Sequence, residues 1–269
     1  GRRFEKVYHR TLRESDAPSL TWREKLAFAR DSGYDFVEIS IDEKDEKLAR
    51  LDWTAQERRE LVDAMQEVGL PIRSMCLSGH RKYPLGSADP AVRERGMEIM
   101  EKAVALADNL GVRIIQLAGY DVYYEDSTAE TRALFLENLR KAAEMAAVKG
   151  ILLGFETMET DFMNTVWKSM FYVNAVGSPY LGVYPDSGNL TNAALTGRAS
   201  VLEDLRAGRG HIVAMHLKET VPGVFREVPF LTGHVDFEAI IRTAWELGVR
   251  RYVTEMWYTG NDDTWKDDI

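Results

Sequence analysis

Cysteine is almost missing from this sequence: Cys76 is the only one in 269 residues. That excludes an internal disulfide framework and any multi-cysteine metal cluster, and it points to a reducing compartment. Long apolar runs are missing too. No stretch approaches the ~20 consecutive apolar residues of a membrane span, and the basic start GRRFEK has no apolar run behind it to make a signal peptide. A cytoplasmic protein without a membrane partner is therefore expected. Positive charge is in short supply, with 34 Lys and Arg against 43 Asp and Glu and a net charge of −9. Nucleic-acid binding rests on a basic surface that releases counterions, so this balance argues against it. With only 8 Pro and 20 Gly, and 45% hydrophobic residues, the chain is neither fibrous nor disordered.

What is present is an alternation of two kinds of segment, with glycines suited to the left-handed position after a helix. TWREKLAFARDSG reads as a helix ending at Gly33 and leads to the apolar run FVEIS. Thr54 and Glu57 form a capping box for a helix that stops at Gly69 before IRSMCLS. Asp89 and Pro90 open the next, which runs to Gly111 and VRIIQLAG; Ser127 with Glu130 is expected to box a long Ala-rich helix before ILLGFET. The strands LGVYPD, IVAMHLK and RYVTEMW follow, separated by helices around Trp167, from Ser200 to Gly208, and over FEAIIRTAWELG.

Short runs rich in Ile, Val and Leu are what strands buried on both faces look like, which means a parallel sheet covered by helices. Seven such strands are clear, and an eighth is expected in RRFEKVY. A doubly wound sheet usually carries G-x-G-x-x-G after its first strand, and none is present. No stretch resembles a linker. The expectation is a single (β/α)8 TIM barrel domain over residues 1–269, α/β in class, with its first strand cut short and its C-terminal helix missing.

Four strands carry one ionisable residue each at or near the carboxyl end: Glu156, Asp186, His216 and Glu255. Any one alone could be a polar strand cap. In a barrel, however, these ends open on one mouth, so residues 30, 30 and 39 positions apart would converge. Three carboxylates crowded with one imidazole repel one another unless a cation sits among them. One nitrogen and three oxygens suit a single divalent ion, Mn²⁺, Co²⁺, Zn²⁺ or Mg²⁺, without choosing among these.

The same residues lie in longer motifs. FETMET, YPDSGN, MHLKE and TEMW, with LSGHRKYPLGS, QLAGYDVYY and FREVPF, closely resemble the L-ribulose-5-phosphate (L-xylulose-5-phosphate) 3-epimerases of the xylose-isomerase-like barrel superfamily. The resemblance runs from TWREKLAFA to TEMW with the motifs in order. It implies that Glu156, Asp186, His216 and Glu255 are the metal ligands and that Glu156 and Glu255 are also the acid/base pair. It implies a substrate contact at Arg226 and a homodimer. Related ketose 3-epimerases have a histidine three residues after the metal aspartate; Asn189 stands there and can bind a ketose oxygen but cannot titrate.

Epimerising C3 of a 2-ketose removes a hydrogen beside a carbonyl and returns one on the opposite face. The enediolate between needs a Lewis acid, and acid and base must flank C3. The phosphate of a pentulose phosphate needs a basic, donor-rich pocket. Ser78, His80 and Arg81 after strand three are candidates, with His80 first among them, and Lys218 is another; Gly233-His234 and the backbone after Trp257 are the alternative. Glu38 and Gln116 are expected on the barrel floor with polar partners, Tyr120, Tyr123 and Tyr124 as walls or packing, Cys76 in the core, and His9, His211 and His234 outside the chemistry. Competing functions are an aldose–ketose isomerase on the same metal site, a sugar-phosphate-binding barrel without activity, and a nuclease for abasic DNA, which five histidines and a net charge of −9 make a poor fit.

Overall fold

The computed structural model describes residues 5–7, 20–197 and 199–256. Its helices begin where a side chain can take up the first free backbone N–H groups. Thr21 and Glu24 cap α1 (Trp22–Asp31) reciprocally, and Thr54 and Glu57 do the same for α3 (Ala55–Val68), which follows the short α2 (Asp45–Leu48). Asp89 caps α4 (Pro90–Leu110), whose proline sits where a missing N–H costs nothing. The box expected at Ser127 and Glu130 is found one residue on, at Thr128 and Thr131, and opens α5 (Ala129–Val148). The reason is the buried Asp121. Its Oδ2 accepts from Ser127 Oγ at 2.9 Å and from Thr131 Oγ1 at 2.6 Å, which engages Ser127 away from the cap.

Between the helices run β1 (Glu5–Val7), β2 (Val37–Ser40), β3 (Ile72–Leu77), β4 (Ile114–Ala118), β5 (Leu152–Glu156), β6 (Leu181–Tyr184), β7 (Met215–Leu217) and β8 (Tyr252–Glu255). All pair in parallel, in the order β6-β5-β4-β3-β2-β1-β8-β7. The eighth strand expected in RRFEKVY is there, and it joins β2 to β8. The sheet closes on itself through parallel bridges Val183 to Ile212 and Asp186 to His216. Gly182 stands at that seam: a side chain there would collide with the His211 carbonyl oxygen, so only glycine lets the two edges meet. The remaining helices are α6 (Val166–Val176), α7 (Ser187–Ala194), α8 (Val201–Ala207) and α9 (Phe237–Glu246).

The period of two along each strand divides the core. Ile39, Met75, Leu77, Ile115, Phe155, Val183 and Met215 belong to the large cluster between barrel and helices. A small second cluster of Phe36, Ile114, Tyr184, Ala214 and Val253 fills the barrel itself. The other inward positions are polar and buried: Glu38, Ser74, Gln116 and His216. Burying that many polar groups costs stability unless each is hydrogen-bonded, so the arrangement marks the interior for a purpose other than packing.

Candidate metal and sugar site

Glu156 ends β5, Asp186 is the N-cap of α7, His216 is the middle of β7 and Glu255 ends β8. One ligand atom from each can be chosen so that all lie within 4.8 Å of one another, in a group that could hold a metal ion. His216 turns Nδ1 toward the acids, at 3.1 Å from Glu156, 3.4 Å from Glu255 and 4.0 Å from Asp186. Glu156 and Asp186 are each aimed by a second interaction. Gln116 Nε2 donates to Glu156 Oε2. Asp186 gives Oδ1 to its cap, accepting from Asn189 N–H at 2.7 Å, which leaves Oδ2 directed at the cluster.

The electrostatics fit a missing positive charge. Burial pushes Asp186 up to about 7, with Glu255 and Glu156 adding to the shift and Lys218 opposing it. Burial works against a charge on His216, yet Glu156, Glu255 and Glu38 together hold its pKa well above the usual imidazole value. Lys218 is buried with Nζ 3.3 Å from Asp186 Oδ2 and 3.8 Å from Glu255 Oε2. The residues present therefore suit a divalent ion: three carboxylates, those of Glu156 and Asp186 buried and that of Glu255 partly so, and an imidazole on one point, with Asp186 Oδ2 making no hydrogen bond among the described residues.

A cleft opens above the cluster. It is lined by Ser40 and Asp42 to Lys44 after β2, Ser78 and Arg81 after β3, Met158 and Glu159 after β5, and Asn189, Phe225 and Arg226. Two guanidinium groups face it, tied to each other through a chain of contacts. Arg81 lies 4.9 Å above the Tyr123 ring and 3.7 Å from Glu43; Tyr123 OH donates to Glu159 at 3.3 Å, and Arg226 Nη2 to the same oxygen at 3.4 Å. Asn189 Nδ2 gives one of its two protons to the Thr157 carbonyl at 2.7 Å, and its buried Oδ1 makes no hydrogen bond among the described residues.

Of the residues singled out from the sequence, Ser78, Arg81, Asn189, Lys218 and Arg226 all line the cleft with Glu156 and Glu255. His80 does not. Its ring is buried on the far side of the turn Ser78–Arg81, 3.0 Å from the Gly96 carbonyl of α4, and burial lowers its pKa to about 4. Cys76 is buried, as expected, and borders the cleft, where burial with the Glu38, Glu156 and Glu255 charges pushes its thiol well up. Tyr124 is exposed, and His234 bonds Thr220 at 3.0 Å. His9 and the backbone after Trp257 lie outside the described residues. The sequence reading passed over Glu159, the partner of Arg226, and Glu219, whose part is described below.

The sequence profile of the family described as Xylose isomerase-like TIM barrel matches residues 26–269. The chain is 46% identical over 243 residues to L-ribulose-5-phosphate 3-epimerase UlaE of Escherichia coli O139:H28, covering 90% of this chain and 84% of the relative, and equally so to that of Shigella sonnei. It belongs to the xylose isomerase-like TIM barrel family and, within it, groups with the L-ribulose-5-phosphate 3-epimerases. These homologues are sugar epimerases, enzymes of the isomerase class. Solved structures share the fold: L-ribulose 3-epimerase with a TM-score of 0.72 at 22% identity, over 100% of this chain and 87% of that one. 3-Keto-D-glucoside 4-epimerase YcjR from E. coli gives 0.77 at 16% identity, over 100% and 97%.

Proposed function

We propose that this chain is one barrel domain that interconverts L-ribulose 5-phosphate and L-xylulose 5-phosphate by moving a proton at C3. The observation that carries the reading is the four-residue cluster at the floor of a cleft with two arginines at its rim, in a chain 46% identical to a 3-epimerase of that substrate. Glu156, Asp186, His216 and Glu255 would hold a divalent ion. Bound there, the ion supplies Lewis-acid stabilisation of the charge that develops on the ketose oxygens. Glu156 and Glu255 project from β5 and β8 and flank the space above His216, where C3 would stand. One removes the C3 proton and leaves the enediolate; the other delivers a proton to the opposite face of C3, and the roles reverse in the back reaction. The pair shares two protons across a cycle, so neither has a fixed protonation state.

Asn189 Oδ1 accepts from a sugar hydroxyl, and Lys218 keeps Asp186 ionised. Arg226, Arg81 and Ser78 supply the charge and donors for the phosphate end, Arg226 and Arg81 standing in the half-exposed rim where a charged group keeps part of its hydration. His80 is left out of the phosphate contacts, since its ring is buried against the Gly96 carbonyl of α4 and does not line the cleft.

The test is incubation with L-ribulose 5-phosphate and Mn²⁺ in D₂O followed by NMR. Deuterium at C3 with appearance of L-xylulose 5-phosphate supports the reading. Label at C1 or C2 makes the protein an aldose–ketose isomerase, and binding without exchange makes it a carrier.

A further inference from the structure

We propose that Glu38 is a positioning residue that fixes the tautomer and direction of His216, so that Nδ1 presents its lone pair to the metal cluster. The inference rests on the reading of the cluster as a metal site and concerns a residue that the proton-transfer chemistry does not use.

Glu38 lies on β2, across the barrel from β7, and is fully buried. Its Oε1 is 3.0 Å from His216 Nε2. Its Oε2 accepts from Ser74 Oγ at 2.6 Å and from Tyr184 OH at 2.8 Å. An ionised carboxylate only accepts, so Oε1 beside the ring calls for a proton on Nε2. Nδ1 also faces carboxylates, so the ring keeps its second proton until a cation takes the place of the one on Nδ1; the imidazole then protonated on Nε2 has its lone pair on Nδ1, the atom turned toward Glu156, Glu255 and Asp186. The ring cannot swing away from this pose. Tyr184 packs edge-on against it, ring centroids 4.8 Å apart at 68°, while the same tyrosine holds Glu38.

The cost of the arrangement supports a role. A carboxylate in a barrel interior loses its hydration, and an apolar side chain of that size would fill the space without the penalty. Apolar filling is available inside this barrel, where Ile114, Ala214 and Val253 belong to one buried cluster. Ligating histidines are held by a carboxylate or carbonyl on the other ring nitrogen because this raises ligand basicity and removes a rotational choice.

The test is Co²⁺ titration of the metal-stripped wild-type protein and of Glu38→Gln, followed by calorimetry and by the visible absorption bands of the bound ion. Glutamine keeps the size but can turn an NH₂ toward Nε2, which favours the wrong tautomer. The expected result is a loss of Co²⁺ affinity of about 10–100-fold with altered bands and an unchanged far-UV circular dichroism spectrum. Ser74→Ala removes one donor to Glu38 without touching the ring, and should weaken Co²⁺ binding about threefold to tenfold. If Glu38→Gln does not fold, Ser74→Ala decides. Wild-type affinity and bands in the folded variant overturn the positioning role, whereas a wild type that takes up no Co²⁺ overturns the metal reading itself.

Discussion

At the scale of single residues, the site is built by giving two of its carboxylates, Asp186 and Glu156, one oxygen for structure and one for chemistry. Asp186 caps α7 with Oδ1 and reaches the cluster with Oδ2; Glu156 is held by Gln116 on one oxygen and meets His216 with the other. Glu156→Gln and Glu255→Gln should therefore each lower turnover by about 10²–10⁴-fold, while the proteins still bind metal more weakly than wild type. Epimerase rates beside metal titrations check this, and substantial retained activity in either variant counts against the acid/base pair. His80 gives a prediction of a different kind. It is neutral when folded, with its pKa lowered by burial to about 4, against ~6.5 in the unfolded chain. Between those values the unfolded chain binds a proton that the folded one refuses, so stability is lost as pH falls through this window. The loss is about 3 kcal/mol when the whole window is crossed. Urea unfolding at pH 7 and pH 4.5 should show it in the wild type and much less of it in His80→Gln; equal pH dependence in both would contradict it. His80 is also where the geometry departs from the sequence reading, since it does not line the cleft. Loop residues after a strand look alike in sequence, and only the one-turn helix Ser78–Arg81 shows that Ser78 and Arg81 face the cleft while His80 turns to α4.

At the scale of elements, the helices were legible because their caps are local. Thr54 with Glu57, and Asp89 with Pro90, need nothing beyond four consecutive residues. The cap of α5 was misplaced by one residue because a buried group six residues upstream, Asp121, competes for Ser127. Polar contacts made by loops leave no periodic trace. The segment between β7 and α9 is the strongest example. The buried Glu219 carboxylate accepts backbone N–H groups of Leu231 at 3.0 Å and Val235 at 3.1 Å, closing the loop that carries Phe225 and Arg226 over the cleft. Leu231 takes a left-handed φ of 65°, which that clamp stabilises. Glu219→Ala should release the loop and raise KM for the sugar phosphate about tenfold, or ~1.4 kcal/mol, with a smaller change in kcat. Steady-state kinetics decide it: an unchanged KM would show that Arg226 is placed without the clamp.

At the scale of the whole molecule, eight parallel strands bring residues from β5, β7 and β8 and from the turn after β6 to one axis, which is why four polar residues about 30–40 positions apart in sequence share one site. That convergence could be read from the sequence, since each candidate ligand ended an apolar run. Of the polar layer beneath, Glu38 and Gln116 were legible as polar positions on the barrel floor, but Ser74 and the identity of their partners were not, because those pairings exist only once the barrel has closed. Among the described residues no helix is long and apolar enough to cross a membrane. The most direct measurement is anomalous scattering from crystals of the protein soaked with Zn²⁺. The account predicts one strong peak at ~2.0–2.2 Å from an oxygen of Glu156, Asp186 and Glu255 and from His216 Nδ1. A peak elsewhere, or none at this point in a catalytically active crystal, would contradict it.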